Sequence, residues 1–264
     1  MWRKFCSLIL PDMQIRIASL PLLFLICINT VWSQTDTLKT GYYLNKKRDI
    51  IYGSASILSF GTFYYLQHQV KPLSIQEVNS LNPSSIPSFD RVATHHYDIT
   101  ARKLSNILIY TSFLARLGIF YNKKSRSALF DIGVVGYQSI FLSQAIANGF
   151  KLALRNRPYM YNPNVPMHMK TESEARFSFF SAHTTTVSTI CFTTAFAYDL
   201  YYPNSKYKNL MWASAITLPA LEGFLRVKAG KHYPSDVLTG YLVGLGTSYL
   251  MHKLHLKKQN SPRF

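Results

Sequence analysis

Residues 223–236 read GFLRVKAGKHYPSD, a polar insert between two apolar runs. Within eleven positions it carries Arg226, Lys228, Lys231, His232 and Asp236. Pro234 suits the first position of a helix, where its missing N–H is no loss. Asp236 then falls in the first turn of that helix, close enough to orient the imidazole of His232. A carboxylate on one ring nitrogen holds the other as a free lone pair, the tautomer a nucleophile needs. The insert therefore reads as a junction between two helices, with cations and a histidine–carboxylate pair gathered at it.

On either side of the junction the chain reads as helices. Apolar segments run at about 49–66, 104–121, 128–150, 183–200, 209–225 and 236–252, each near the length that spans a bilayer. Stretches such as SASILSFG and GYLVGLGTSYL supply the small residues that let helices pack closely in membranes. Arg116, Asp131 and Glu222 lie within the segments, so these helices are less apolar than single anchors. No alternating strand pattern and no internal repeat is visible. The expected fold is all-α, a bundle of about six helices, membrane-embedded or membrane-associated. Its length of 264 residues suits one domain. A first helix and polar connecting loop occupy 34–103, a helical core 104–252 and a basic tail 253–264. The connection KPLSIQEVNSLNPSSIPSFDRVATHHYDITARK is polar and turn-rich, and reads as a lid or as short surface helices. Its adjacent His95 and His96 read as surface residues rather than metal ligands.

Two further stretches stand at helix ends. KLALRNRPYMYN covers 151–162 and SFFSAHTTT covers 178–186. If alternate helix ends lie on one side, these and the junction meet on one face of the bundle. That gathers Lys151, Arg157, Ser181, His183, Arg226, His232 and Asp236. Three cations around one site suit the oxygens of a phosphoryl group, and planar Arg forks bind two oxygens at once. The sequence SAH opens a helix, so free backbone N–H groups and the helix dipole add anion stabilisation. Two histidines allow one to attack phosphorus and the other to protonate the leaving oxygen. Taken singly, each residue has a plainer reading: a cap for Ser181, a solvated end for a lone Arg or Lys.

The three stretches resemble the signature motifs of the type 2 phosphatidic acid phosphatase family, which shares its fold with vanadium haloperoxidases. The family pattern is Lys, six residues, Arg-Pro; then Pro-Ser-Gly-His; then Ser-Arg, five residues, His, three residues, Asp. The third motif fits from Arg226 onward, with five residues to His232 and three more to Asp236, and HYPSDVLTG is typical family wording. The resemblance covers about residues 100–252. There are departures. Lys151 stands one residue too close to Arg157-Pro158, which in a continuous helix rotates it by about 100°; Arg155 is the alternative first cation. Phe180 and Ala182 replace Pro and Gly, and Leu225 replaces Ser. The resemblance implies that His232 attacks phosphorus and becomes phosphohistidine, that Asp236 orients it, and that His183 protonates the departing oxygen and then activates water. It also implies that Lys151 or Arg155, Arg157, Arg226, Ser181 and the Ala182 amide hold the phosphoryl oxygens, with no metal and no cofactor. The implied function is hydrolysis of phosphomonoesters or pyrophosphates, of membrane lipids first, with phosphatidic acid, phosphatidylglycerol phosphate, undecaprenyl pyrophosphate and lipid A phosphates as candidates. The alternatives are a soluble exported acid phosphatase and a vanadate-dependent haloperoxidase.

Composition agrees with an anionic partner. The chain has 29 basic and 12 acidic residues, a formal net charge of +17. Zinc-finger spacing, a Gly-rich nucleotide loop and long Lys/Arg runs are absent, which argues against nucleic acid. Residues 1–33 read as an export signal: Arg3, Lys4 and Arg16 precede IASLPLLFLICINTVW, with cleavage expected before Gln34 and an uncleaved anchor as the alternative. Removal would take three basic residues and one acidic residue, leaving +15, and two of the three cysteines, Cys6 and Cys27. Cys191 alone then remains, too few for a disulfide framework. The basic stretches NKKSRS, NSKYK and HKLHLKK put one side of the bundle in the cytoplasm and the motif side outside.

Overall fold

The computed structural model describes residues 41–121 and 126–256. The expected signal segment, most of the basic loop at 122–127 and the end of the tail lie outside the described residues. Among the described residues six long helices carry the architecture: α1 Lys46–His68, α2 Ile99–Phe120, α3 Leu129–Lys151, α4 Ala182–Tyr201, α5 Lys208–Lys228 and α6 Pro234–His255. Each matches one expected apolar segment. They extend past it because capping residues lie outside the apolar runs. The Asn45, Asp98 and Ser181 side chains accept from the backbone N–H groups of Arg48, Ala101 and Thr184, satisfying donors that a helix start leaves open. Pro234 opens α6. Among the described residues the only β-type pairing is a single antiparallel bridge, Tyr42 with Leu256.

Helix α4 is the axis of the bundle, packed against α2, α3, α5 and α6, while α1 lies along α3. Where α3, α4 and α6 meet, the core is rich in hydroxyls. Thr185, Ser188, Thr189 and Thr193 of α4 are buried, as are Ser139 and Ser143 of α3 and Ser248 of α6. They satisfy themselves locally: Thr189 and Thr193 donate to the carbonyls of Thr185 and Thr189, 2.8 and 2.6 Å away. Small residues bring the helices together. A Cβ on Gly244 of α6 would stand 2.5 Å from the Ser188 Cβ, so only glycine permits this approach. Large apolar side chains point outward instead: Ile107, Phe113, Leu114 and Leu117 on α2, Ile216 and Phe224 on α5, Leu238 and Leu242 on α6. Among the described residues two helices, Arg126–Lys151 and Lys208–Lys228, are long and apolar enough to cross a membrane.

Helix direction alternates, so two ends can be distinguished. At one end α1 begins and α6 finishes, joined by His255 Nε2 and Asp49 Oδ1 at 3.0 Å and by Arg48, which donates to the Leu254 carbonyl. At the other, α1 and α3 finish, joined by Gln67 donating to Asn148, and α2, α4 and α6 begin. Residues 69–98 form short turns at Ile75–Asn79, Pro83–Ser85, Ser88–Arg91 and Val92–His95. They lie against residues 158–175 through a cluster of Val78, Tyr159, Met160, Val165 and Ala175. This is the surface-helix form of the expected lid.

Candidate active site

The junction quoted first closes α5 and opens α6. Past Lys228 the chain turns at Gly230, whose φ of +68° is open to glycine at little cost. A Cβ there would also collide with the His96 carbonyl oxygen, so the turn and the lid backbone need the same residue. Two positions on, His232 is 2% exposed. Its Nδ1–H donates to the Ser178 carbonyl, 2.7 Å away, which leaves Nε2 with the lone pair. Burial, then Arg157, Arg226 and Lys151, hold its pKa well below the ordinary histidine value, so the ring is neutral at pH 7.

Asp236 does not orient His232 in the direct way its spacing suggests. Its Oδ2 stands 3.6 Å from Nδ1, beyond hydrogen-bond reach. The same oxygen accepts from the Ser178 hydroxyl at 2.5 Å and from the Tyr233 amide at 3.0 Å. Ser178 thus stands between the two, its carbonyl on the histidine and its hydroxyl on the carboxylate. The reason is local. Asp236 at the third position of α6 turns back to cap the Tyr233 amide, and that draws its carboxylate off the imidazole.

The first motif is read differently once α3 is seen to end at Lys151. The missing residue falls in the irregular segment beyond the helix, where Leu154 takes a left-handed φ of 54°, and no rotation of Lys151 follows. Lys151 acts electrostatically on both His183 and His232. Arg157 is 8% exposed and is aimed by the Glu174 carbonyl, to which its Nε–H donates at 2.8 Å. Arg155, the alternative first cation, is committed elsewhere. It donates to Asp236 Oδ1 at 2.6 Å, to Ser235 Oγ at 2.9 Å and to Asp90 Oδ2 at 2.7 Å, and lies 4.1 Å over the Tyr233 ring. Its guanidinium is a clamp between two carboxylates, Asp90 and Asp236.

In the second motif Ser181 caps α4. Its Oγ accepts from the Thr184 amide at 3.3 Å and the Thr184 hydroxyl at 2.9 Å, keeping its own hydrogen to donate. Ala182 is the first helical residue, and among the described residues Leu154 is the only non-glycine with positive φ, so alanine fits where the family pattern has glycine. Helix geometry leaves the first amides of α4 without an intrahelical acceptor. His183 Nε2 meets Asn106 Oδ1 at 3.1 Å. In the third motif Arg226 is 4% exposed and donates to Ser105 Oγ at 3.1 Å. Leu225 offers no hydroxyl; the one beside Arg226 comes from α2. Lys231 is 8% exposed, its ammonium 4.5 Å over the Tyr159 ring. Burial, then Arg157, Arg102 and Arg226, push its pKa down to about 6.

The structure therefore brings Lys151, Arg157, Ser181, Ala182, His183, Arg226, His232 and Asp236 to one end of the bundle. Ser178, Asn106, Ser105 and Asp90 also belong there, and the sequence did not single them out. Ser178 lay inside a stretch already read as a motif. The others come from α2 and the lid, where nothing in the spacing marks them. A neutral imidazole near a group of cations, with a second histidine at the same helix ends, can attack an electrophilic centre whose anionic oxygens the cations hold.

A family profile described as PAP2 superfamily matches residues 135–260. Among curated proteins, a "Lipid A 4'-phosphatase" of Porphyromonas gingivalis is 29% identical over 143 residues, covering 52% of this chain and 56% of that protein. A "Lipid A 1-phosphatase" of Rhizobium johnstonii is 36% identical over 155 residues, covering 54% of this chain and 59% of that protein. The chain thus spans under three fifths of the length of the curated relatives it matches. A crystal structure of a transmembrane PAP2-type phosphatidylglycerolphosphate phosphatase from Bacillus subtilis is 21% identical, covers 75% of this chain and 94% of that one, and superposes with a TM-score of 0.45.

Proposed function

We propose that this chain, which matches the PAP2 superfamily profile over residues 135–260, is a metal-independent phosphatase acting on phosphomonoesters or pyrophosphates of membrane lipids. The observation that carries the reading is the state of His232: buried, neutral, with Nδ1–H held by Ser178 and Lys151, Arg157 and Arg226 acting on it. The Nε2 lone pair attacks phosphorus while the bond to the leaving oxygen breaks. His183 gives that oxygen a proton. His183 then takes a proton from water, the hydroxide attacks phosphorus, and the P–N bond breaks to release phosphate and restore His232. Lys151, Arg157, Arg226, the Ser181 hydroxyl and the first amides of α4 hold the equatorial oxygens, doing with fixed positive charge what phosphoryl transfer asks of its site.

The apolar belt on α2, α5 and α6 supports a bilayer around the bundle, since soluble monomers rarely expose so continuous an apolar surface. Basic residues stand at both ends, with Lys46, Lys47, Arg48, Arg126, Lys206, Lys208 and Lys253 opposite the site; taking the catalytic end's cations as serving the phosphate, the remaining basic residues put the opposite end inside and the catalytic end outside. Helix ends sit at headgroup depth, where a lipid presents its phosphate. Both curated relatives carry lipid A phosphatase names, so lipid A phosphates head the candidate substrates. The test is turnover of lipid phosphates in micelles by purified full-length protein. Phosphate release that survives EDTA, is blocked by vanadate and passes through an acid-labile phosphoenzyme supports the reading. Loss with EDTA restored by magnesium rejects the mechanism, and preference for a water-soluble phosphomonoester over every lipid rejects the substrate class.

A further inference from the structure

Helix α2 contributes to none of the three motifs and lies before the residues matched by the family profile. Its outward positions are mostly apolar, with Leu104, Ile107, Tyr110, Phe113, Leu114 and Leu117 exposed, and Asn106 and Thr111 are exposed among them. Its first turns nevertheless carry Arg102, Ser105 and Asn106, and the spacing of three and four residues puts these on one face. Two of the three reach the site. Ser105 is fully buried. Its hydroxyl donates to the Arg102 carbonyl at 2.9 Å and accepts from Arg226 at 3.1 Å, so the guanidinium is met by an oriented lone pair. Asn106 Oδ1 lies 3.1 Å from His183 Nε2. Asp98 fixes the start of the helix by accepting from the Ala101 amide, which sets the height at which these side chains meet the bundle end.

We propose that Asn106 is the positioning residue of His183, and that the acid–base nitrogen of His183 is Nδ1. An amide oxygen only accepts, so Nε2 must carry a hydrogen whenever this contact is made. Nδ1 is then the nitrogen that delivers the proton to the leaving oxygen and later takes one from water. The contact also fixes the rotation of the ring about its bond to the backbone. The groups facing His183 from the packed elements are Arg226 on α5, His232 in the junction, Lys151 at the end of α3 and Arg157 beyond it. Three of them are cations that only donate, and the fourth, His232, keeps its Nε2 for phosphorus; the neutral Asn106 amide supplies the acceptor an imidazole N–H needs without adding charge. The inference rests on the phosphatase reading for its consequence, but the hydrogen bond itself is measurable without turnover.

The experiment uses full-length protein in micelles carrying 15N-histidine, with His183→Gln identifying the His183 resonances. In Asn106→Ala the Nε2 resonance of His183 shifts, and kcat falls about 10–100-fold, the scale of a misplaced catalytic group, while KM changes little. In Asn106→Asp, which keeps an acceptor oxygen and nearly the same shape, the tautomer persists. The new carboxylate stabilises the imidazolium there, so the alkaline limb of the kcat profile moves to higher pH. Unchanged His183 nitrogen resonances in Asn106→Ala overturn the proposal, as does an Asn106→Asp profile that keeps its alkaline limb. If the wild-type protein releases phosphate from no ester, the functional reading fails, and the nitrogen resonances alone still decide this one.

Discussion

Two buried histidines stand at opposite ends of the bundle, each near an aspartate, and the proposed mechanism uses only one of them. His255 at the far end has both ring nitrogens engaged, Nδ1 with the Met251 carbonyl at 2.7 Å and Nε2 with Asp49 at 3.0 Å. Arg48 completes that cluster. His232 uses one nitrogen, on a carbonyl, and keeps the other. Proximity to a carboxylate is common to both, so it does not mark the reactive residue. A free nitrogen facing positive charge does. The far cluster ties the start of α1 to the end of α6; the near one leaves a lone pair where an anion would sit.

The largest effect separates them outright. His232→Ala abolishes phosphate release to background with little change in melting temperature. His255→Ala keeps activity in the folded fraction but loses about 1–2 kcal/mol of stability, because it removes a buried hydrogen bond from Asp49, which keeps Arg48 and the Asn45 amide. Phosphate release and thermal melts on both variants check this, and an inactive, fully stable His255→Ala would break the distinction.

Next come the residues that hold Asp236. Arg155→Ala leaves that carboxylate buried without its guanidinium, and activity falls about 100-fold with a stability loss of about 3 kcal/mol. Lys151→Ala removes a charge from the phosphoryl site, so vanadate affinity and kcat/KM fall while the melting temperature holds. Equal melting temperatures for the two variants would return Arg155 to the list of phosphate ligands. Ser178→Ala keeps the carbonyl on His232 but removes the hydroxyl from Asp236, which costs about tenfold in kcat.

A last effect is one of pH on stability. An unfolded lysine takes up its proton near 10.5 and folded Lys231 near 6, so between those values the unfolded chain binds the extra proton. Stability therefore declines as pH falls from about 10.5 towards 6, and is unaffected by this residue below 6. His232 adds to the decline below the ordinary histidine range, since it too resists protonation when folded. Denaturant titrations at stepped pH follow the slope, and Lys231→Met flattens it in the upper window.

The six long helices were legible because each has an apolar run of membrane-spanning length, and the third motif because its spacing is local. The terms that failed were relations between segments. The 100° rotation of Lys151 assumed that a helix continued to Arg157, whereas α3 stops at Lys151. Pairing Asp236 with His232 followed from four-residue spacing, but the cap it forms on Tyr233 competes for the same oxygen. Asp90, Ser105 and Asn106 reach the site only when the lid and α2 are folded against it, and a single sequence gives no sign of partners so far apart.

Asp90 also sets the order of assembly. Its carboxylate accepts from Arg155, 65 positions later, and from Ser235, 145 positions later. During synthesis the lid is made long before either donor exists, and it meets the second only when the last helix follows. The catalytic end is thus completed only after the junction and the start of α6 have been made, and a chain truncated before residue 232 would carry Asp90, Lys151, Arg157, Arg226 and His183 without His232 or the Ser235 contact.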